Sequence, residues 1–146
     1  MMGGGAGQAL LLDTCAVIWF ANGNPMSEPS KEAIIQARQF VGVLVSPISA
    51  WEIGLLCRPR FRRAGPEFLP DPKAWFDRVM SEPGIRGAAF TPAIAVDASL
   101  LPGNLHNDPA DRIIIATARH LNMPIVTRDR RIIDYARAGH VAVIPC

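Results

Sequence analysis

Five of the thirteen acidic residues stand where a folded chain would bring their carboxylates together. Two come at the ends of short apolar strands, one lies about a turn and a half into a helix, and two lie three residues apart at a helix start. In that order they are Asp13 and Asp129, Glu52, and Asp108 with Asp111. Residues three apart on a helix share one face, so the last two side chains are expected to lie side by side.

Four of the five acids, taken alone, have an ordinary structural explanation. Asp108, followed by Pro109, has the sequence of a helix N-cap, with Asp111 as its partner at the third helical position. Asp129 would cap the next helix in the same way, and Glu52 alone is typical of a solvated helix residue. Asp13 is different, because a carboxylate that ends a wholly apolar strand is costly to desolvate without a partner. Several carboxylates together repel one another unless a cation holds them. Oxygen ligands without His or Cys suit Mg²⁺ or Mn²⁺ rather than Zn²⁺.

Short apolar strands alternate with helices along the chain, an order typical of an α/β fold with helices on both faces of a parallel sheet. We predict one domain on a central parallel sheet of about five strands, with no internal repeat and no second domain. The predicted strands cover residues 9–12, 41–45, 87–90, 124–126 and 140–144. Sites in open sheets of this kind form beyond the C-terminal ends of the strands, which is where the five acids fall.

Capping residues, prolines and apolar spacing predict seven helices. They cover residues 15–21, 29–39, 47–56, 72–80, a stretch beginning at 91–92, 108–121 and 129–138. Trp19, Trp51 and Trp75 stand at apolar helix positions, so we predict that all three pack in the core. Residues 1–8 are predicted to be a flexible Gly-rich leader, and residues 9–146 the folded domain.

The composition indicates a globular domain that can bury a core. Of the 146 residues, 49% are hydrophobic and 19% are charged, a balance that excludes intrinsic disorder. The formal net charge of +2 is too small to indicate nucleic-acid binding by itself. Three widely spaced cysteines exclude a disulfide framework and a zinc ribbon. Without a signal peptide or an apolar run of the ~18–20 residues that span a bilayer, we expect a cytoplasmic protein with no membrane partner.

Thirteen of the fifteen cationic residues are Arg, whose planar guanidinium binds phosphate through paired hydrogen bonds. One group surrounds Phe61 and is a candidate for binding a phosphodiester backbone: Arg58, Arg60, Arg62 and Arg63. Others flank the acids: Arg112, Arg128, Arg130 and Arg131. The alternatives are a solvated loop, helix-surface charge and a genomic preference for Arg.

Other chemistries fit the sequence less well. The chain has neither the G-x-S-x-G elbow of a Ser-His-Asp hydrolase nor a phosphate-binding G-x-x-x-x-G-K-[ST] loop. His106, His120 and His140 stand at positions typical of structural or surface histidines. A phosphatase of the haloacid-dehalogenase type requires Asp-x-Asp where this chain has Asp13-Thr14-Cys15. A receiver-like signalling domain requires an acidic pair early in the chain and a Lys after a late strand, and this sequence has neither.

Four motifs give the chain a family resemblance. They are Leu-Leu-Asp-Thr at 11–14, Ser-Ala-Trp-Glu-Ile at 49–53, His-Asn-Asp-Pro-Ala-Asp-Arg-Ile-Ile-Ile-Ala at 106–116 and Val-Thr-Arg-Asp at 126–129. With them the chain resembles the PIN-domain ribonucleases over residues 9–146, and most closely the VapC-type toxins of bacterial toxin–antitoxin pairs. It departs from them at 55–63, where relatives often have a segment with Lys and Gly, and this departure bears on the substrate and antitoxin surfaces.

The resemblance implies a small α/β PIN-like domain that uses Mg²⁺ or Mn²⁺ to cleave RNA. The family's four acids would be catalytic metal ligands, and they correspond to Asp13, Glu52, Asp111 and Asp129. Asp108 would be a fifth ligand, while Thr14 and Thr127 would contact substrate or water. A homodimer and a cognate VapB-type antitoxin, whose C-terminal segment covers the pocket, are also implied. The alternative is a catalytically inert PIN-fold module that binds RNA or protein.

Overall fold

Five parallel strands form the centre of the domain. The computed structural model describes residues 8–58 and 67–146. Within them the strands are β1 (Leu10–Leu12), β2 (Val43–Val45), β3 (Ile85–Gly87), β4 (Ile125–Thr127) and β5 (Val143–Pro145). Their order across the sheet is β3-β2-β1-β4-β5, and every neighbouring pair is parallel. The predicted α/β fold on a parallel sheet of about five strands is confirmed.

The described residues form seven helices, in the order that the sequence predicts. They are α1 (Thr14–Asn22), α2 (Glu28–Gln39), α3 (Pro47–Leu56), α4 (Pro72–Met80), α5 (Pro92–Ser99), α6 (Pro109–Leu121) and α7 (Arg130–Arg137). Each begins at a Ser, Thr or Asp whose side chain accepts a hydrogen bond from a backbone N–H of the first turn. Five of them carry Pro at the first or second position, where its missing N–H costs nothing.

Helices cover both faces of the sheet, as the sequence predicts. Leu10 and Leu12 point to one face and pack with apolar residues of α1 to α4, among them Val17, Ile34 and Trp75. Leu11, which points to the opposite face, packs with residues of α6 and α7 such as Ile114 and Ile132. Strand residues alternate between faces with a period of two, so three consecutive leucines supply both cores.

The third strand begins two residues earlier than predicted, at Ile85 instead of residue 87. Gly84 has a φ of +81° and lies against the backbone of Arg38, so the chain turns sharply after α4 and enters the sheet at once. Ile85 is buried and pairs with Val43 of β2. The run 87–90 is the more apolar segment, but pairing with β2 decides which residues form the strand.

The three tryptophans differ in their environment. Trp75 is buried, as predicted, and Trp19 is partly buried beneath the guanidinium of Arg128. The prediction that Trp51 packs in the core is wrong, because 53% of this residue is exposed. The buried positions of α3 are Ser49 and Ile53, so a residue midway between them faces the other side of the helix.

Two parts of the predictions lie outside the described residues. They are the Gly-rich leader, of which only Gln8 is described, and the segment 59–66 with Arg60, Arg62 and Arg63. Among the residues that are described, no helix has the length and apolar character needed to cross a membrane; the longest, α6, has 13 residues.

Candidate functional site

The five acids gather where the chain changes direction across the sheet. From β1 the chain builds outwards to β2 and β3, and it then returns to add β4 and β5 on the other side. β1 and β4 are therefore neighbours whose following segments diverge, which opens a crevice at their carboxyl ends. Asp13 follows β1 and Asp129 follows β4, so both acids flank this crevice.

Asp13 is the most buried of the acids, with 5% of the residue exposed. Its Oδ1 accepts a hydrogen bond of 2.8 Å from the backbone N–H of Ala16 and so caps α1, while its Oδ2 accepts one from the hydroxyl of Thr127. Burial raises the pKa of Asp13 from 3.8 to about 6, although both hydrogen bonds lower it. The negative charges of Asp111 and Asp129 raise this pKa further, so both carboxylates are close enough to repel a charge on Asp13.

Thr127 connects the first acid to the last. The backbone N–H of Asp129 donates to Thr127 Oγ1 at 3.0 Å, while the Thr127 hydroxyl donates to Asp13. Asp129 uses its Oδ1 to cap α7 through the N–H of Arg131, 2.8 Å away. Burial raises the pKa of Asp129, but hydrogen bonds and the charge of Arg131 outweigh burial and hold it below its usual value.

The start of α6 supplies two more carboxyls. Asp108 Oδ1 caps the helix by accepting from the N–H groups of Ala110 at 3.0 Å and Asp111 at 3.3 Å. Asp111 Oδ2 accepts a hydrogen bond of 2.7 Å from Nε2 of His106 and lies 3.5 Å from a guanidinium nitrogen of Arg131. Burial raises the pKa of Asp111, as do the charges of Asp108 and Asp129, whereas His106 lowers it.

Glu52 reaches the cluster from α3. The Thr14 hydroxyl donates to Glu52 Oε1, and Thr14 Oγ1 lies 3.0 Å from Ser49 Oγ, one helical turn before Glu52. Burial raises the pKa of Glu52, and so do the charges of Asp111, Asp108 and Asp13, while the bond from Thr14 lowers it. Thr14 and Thr127, expected to contact substrate or water, bond to carboxylates and are both buried.

The chemistry of this donor set fits a hard divalent cation. The carboxyls raise one another's pKa values, which is the repulsion that a bound cation relieves, and their oxygens are the ligands that Mg²⁺ and Mn²⁺ prefer. In the part of the chain that the structure describes, however, no three His, Cys, Asp or Glu side chains lie close enough together to form a ready-made metal site. Each of the five carboxylates accepts at least one hydrogen bond from the protein, which fixes its orientation.

The arginines near the site have different roles. Arg58 is exposed, as a substrate contact requires. Arg112 does not face the acids, because its guanidinium donates to backbone carbonyls, among them that of Ala98 at 2.9 Å. Arg128 is also engaged, lying 3.6 Å over the ring of Trp19 and donating to the carbonyl of Pro25. Among Arg112, Arg128 and Arg131, only Arg131 has its guanidinium next to the carboxylates.

Sequence reasoning missed two features beside the acids. His106 holds Asp111, and the only sequence signal for this contact was its place five residues earlier in the same motif. An apolar groove of about 330 Å³ lies between the start of α3 and Pro109, the first residue of α6, with the exposed rings of Trp51 and Phe90 in its wall. The groove had no sequence signal, because the spacing of the apolar residues in α3 predicts Trp51 to be buried.

Without a divalent ion, we expect the protein to lose stability as the pH rises from about 4 to about 7. The folded state keeps the proton of Asp13 up to about pH 6, whereas the unfolded chain releases it near its ordinary pKa of 3.8. The raised pKa values of Glu52 and Asp111 act in the same direction. The pKa of Asp129 is lowered, so its charged form stabilises the fold at every pH above its ordinary pKa of 3.8. This contribution is lost only when the pH falls below that value.

Thermal unfolding at about pH 5 and about pH 7, each in EDTA and in excess Mg²⁺, measures this dependence. We expect Mg²⁺ to raise Tm more at the higher pH, because carboxylates ligate metal only when deprotonated. A Tm in EDTA that rises across this interval would contradict the assignment of a strained, buried acid cluster.

The chain is similar to known proteins over most of its length. A family model described as PIN domain matches residues 10–138. Ribonuclease VapC22 from Mycobacterium tuberculosis (strain ATCC 25618 / H37Rv) is 30% identical over 136 residues, which cover 92% of this chain and 97% of that protein.

Solved structures with the same fold are more distant in sequence. One is VapBC2 from Rickettsia felis bound to a DNA fragment, with a TM-score of 0.66 and 14% identity over 94% of this chain and 98% of that chain. Another is DNA-bound VapBC from Salmonella typhimurium, with a TM-score of 0.59 and 16% identity over 94% and 97%. At these identities the likeness shows the fold alone. Because the family model spans most of the chain and the VapC relative aligns over nearly its whole length, the chain belongs to the PIN domain family, as a VapC-type member.

Proposed function

We propose that this protein is a metal-dependent endoribonuclease, the toxin of a VapBC-type toxin–antitoxin pair. The observation that carries the proposal is the cluster of five carboxyls at the crevice between β1 and β4, of which Asp13 is the most buried. A cluster whose members raise one another's pKa values is unfavourable for folding, and catalytic sites are where such arrangements are retained. The likeness to a VapC ribonuclease supports RNA as the substrate.

The metal ion would be Mg²⁺ or Mn²⁺, and its ligands would come from Asp13, Glu52, Asp108, Asp111 and Asp129. When bound, such an ion stabilises charge on a phosphate and lowers the pKa of a water. Asp129, at the rim of the cluster, is the candidate for orienting the attacking water. Arg58, together with Arg60, Arg62 and Arg63, would bind flanking phosphates.

Three side chains would act by orienting these carboxylates. Thr127 bonds to Asp13, Thr14 to Glu52, and His106 to Asp111. Hydrogen-bonding partners of this kind set the direction of a ligand, and their loss typically costs about 10–100-fold in metal affinity or activity. We therefore propose positioning roles for Thr14 and Thr127, in place of the contacts with substrate or water that the family resemblance implies.

The partner proposals rest on the relatives. Two solved structures with this fold are of VapBC proteins bound to DNA, which supports a cognate VapB-type antitoxin. That its C-terminal segment covers the acidic pocket is what the family resemblance implies. A homodimer that acts in the cytoplasm follows from the same resemblance. Size-exclusion chromatography with light scattering, with and without the antitoxin, measures both assemblies.

The decisive experiment is cleavage of total cellular RNA by the purified protein with Mn²⁺, followed by sequencing of the fragment ends. We expect discrete ends that disappear in EDTA and in Glu52→Gln. The matched control is Glu28→Gln, which removes an exposed carboxylate of α2 whose contact is a surface ion pair with Lys31; it should cleave like the wild type. Ends that persist in EDTA, or in Glu52→Gln, would contradict a metal-dependent nuclease.

The second candidate is a catalytically inert PIN-fold module that binds RNA or protein. It is favoured by the absence, among the described residues, of three ligand-type side chains close enough to form a ready-made metal site. Such a module would bind RNA or the antitoxin but would produce no fragment ends in any RNA pool. Its thermal stability would also be insensitive to Mn²⁺, which a metal-dependent nuclease would not be.

A further inference from the structure

Arg131 lies between two of the carboxylates that are expected to hold a metal ion. It is the second residue of α7, and one of its guanidinium nitrogens lies 3.5 Å from Asp111 Oδ2 and 3.4 Å from Asp129 Oδ2. These two acids come from different helices, α6 and the cap of α7. The guanidinium therefore places a positive charge next to both carboxylates, as a bound metal ion would.

The geometry of these contacts is that of a partner that can leave. Both distances exceed the about 2.7–2.9 Å of a strong charge-assisted hydrogen bond, and 57% of the Arg131 side chain is exposed. Asp111 has a shorter bond, 2.7 Å, to His106 and would keep it if Arg131 moved. The hold of Arg131 on the acids is consequently weaker than the other contacts of the cluster.

The structure also provides space for this side chain to move into. A cavity of about 340 Å³ has Arg131, His106, Asn104 and Asp134 in its wall. The backbone of Arg131 is held in place, because its N–H donates a hydrogen bond of 2.8 Å to Asp129 Oδ1. The guanidinium can thus swing while the helix stays where it is.

We propose that Arg131 neutralises Asp111 and Asp129 before a divalent ion binds, and that it then moves onto a phosphate of the substrate. The proposal rests on the proposed nuclease function. A divalent ion on the same carboxylates repels the guanidinium, and an arriving phosphodiester offers it a new anion that it binds through two hydrogen bonds. One side chain then competes with the metal ion and afterwards assists the substrate.

The test compares Arg131→Gln with Arg130→Gln, the neighbouring exposed arginine of α7. Calorimetric titration with Mn²⁺ alone should show that Arg131→Gln binds the ion about 3–10-fold more tightly than the wild type, because the competing positive charge is gone. Arg130→Gln should match the wild type. Thermal unfolding of both variants in EDTA checks that they are folded.

Cleavage measures the second half of the proposal, with an oligonucleotide taken from the sharpest fragment end of the RNA experiment. At saturating Mn²⁺, Arg131→Gln should lower kcat/KM about 10–100-fold and reduce the slope of log kcat/KM against log salt by about one, the signature of one lost phosphate contact. Tighter metal binding together with weaker catalysis is a combination that a merely structural residue would not produce.

Two results would overturn the proposal: a Mn²⁺ affinity of Arg131→Gln that is unchanged or weaker, and a kcat/KM that is unchanged at saturating Mn²⁺. A wild-type protein that cleaves no RNA would instead overturn the nuclease function and the phosphate step with it. In that case tighter Mn²⁺ binding by Arg131→Gln would still support the competition between Arg131 and the metal ion.

Discussion

Asp13→Asn should abolish RNA cleavage, with a loss of at least about 1,000-fold in kcat, and should raise the stability of the fold. The loss follows because Asp13 is the most buried carboxyl of the cluster, and a neutral amide oxygen attracts a divalent cation less strongly than a carboxylate does. A metal ion contributes several kcal/mol to phosphate charge stabilisation, and each 1.36 kcal/mol corresponds to about tenfold in rate.

The gain in stability follows from the pKa of Asp13. Its increase from 3.8 to about 6 corresponds to about 3 kcal/mol of destabilisation at neutral pH, as an upper bound. Asn removes the charge and still caps a helix, since its oxygen accepts from the N–H of Ala16 and its amide donates to Thr127. We expect the free energy of unfolding to rise by about 1–3 kcal/mol and Tm by about 3–10 °C in EDTA.

Asp71→Asn is the matched control for this prediction. Asp71 caps α4 by accepting from the N–H of Ala74 at 2.8 Å, but it is exposed and lies outside the acid cluster. Its replacement should leave both cleavage and Tm near their wild-type values. If Asp13→Asn unfolds the protein, or keeps more than about a tenth of the activity, the role assigned to Asp13 is wrong.

Arg112→Ala should be the most destabilising of the substitutions considered, lowering the free energy of unfolding by about 2–4 kcal/mol and Tm by about 5–15 °C. The guanidinium donates to the carbonyls of Ala98 at 2.9 Å, His106 at 3.1 Å, Leu105 at 3.3 Å and Ser99 at 3.4 Å. It therefore fastens the end of α5 and the loop that precedes α6 to α6 itself. Alanine leaves these carbonyls without their donor.

The same substitution should reach the acid cluster through His106. Its carbonyl is one of the four acceptors, and its ring holds Asp111 at 2.7 Å, so a loosened loop misplaces a carboxylate that we propose to hold the metal ion. We expect about a tenfold lower kcat below the unfolding transition. Urea unfolding and steady-state cleavage measure the two effects.

Arg137→Ala serves as the control, because Arg137 is exposed and forms a surface ion pair with Asp134. Such a pair contributes at most about 1 kcal/mol, so the variant should remain near wild-type stability. Arg112→Lys keeps the charge but loses the planar fork and should fall between Arg112→Ala and the wild type. A loss below about 1 kcal/mol for Arg112→Ala would show that water replaces the guanidinium at these carbonyls.

The acids of this chain illustrate how a capping residue can also be a candidate functional residue. Sequence patterns offered capping as the alternative explanation of Asp108 and Asp129. In the structure, Asp13 and Asp129 each use Oδ1 to cap a helix and leave Oδ2 to face another partner. Helix N-termini also favour negative charge, so capping at the strand ends brings the carboxylates to the crevice.

The sequence alone determined the order of the elements and the edge of the sheet where the acids gather. Both depend on residues close together along the chain: apolar runs for strands, and Ser, Thr or Asp before Pro for helix starts. The carboxyl ends of parallel strands meet at one edge whatever the side-chain packing. For this reason Asp13 and Asp129 could be placed together although they are distant in sequence.

Only the tertiary structure decided what each polar side chain touches. Arg112 and Arg131 both flank the acidic motifs, but the first is turned to carbonyls of α5 and the preceding loop, and the second to the carboxylates. Thr127 reaches Asp13 across 114 positions of sequence, and Trp51 is exposed because Ser49 and Ile53 occupy the buried side of α3. These contacts depend on how helices pack on the sheet, and no local pattern of residue types encodes that packing.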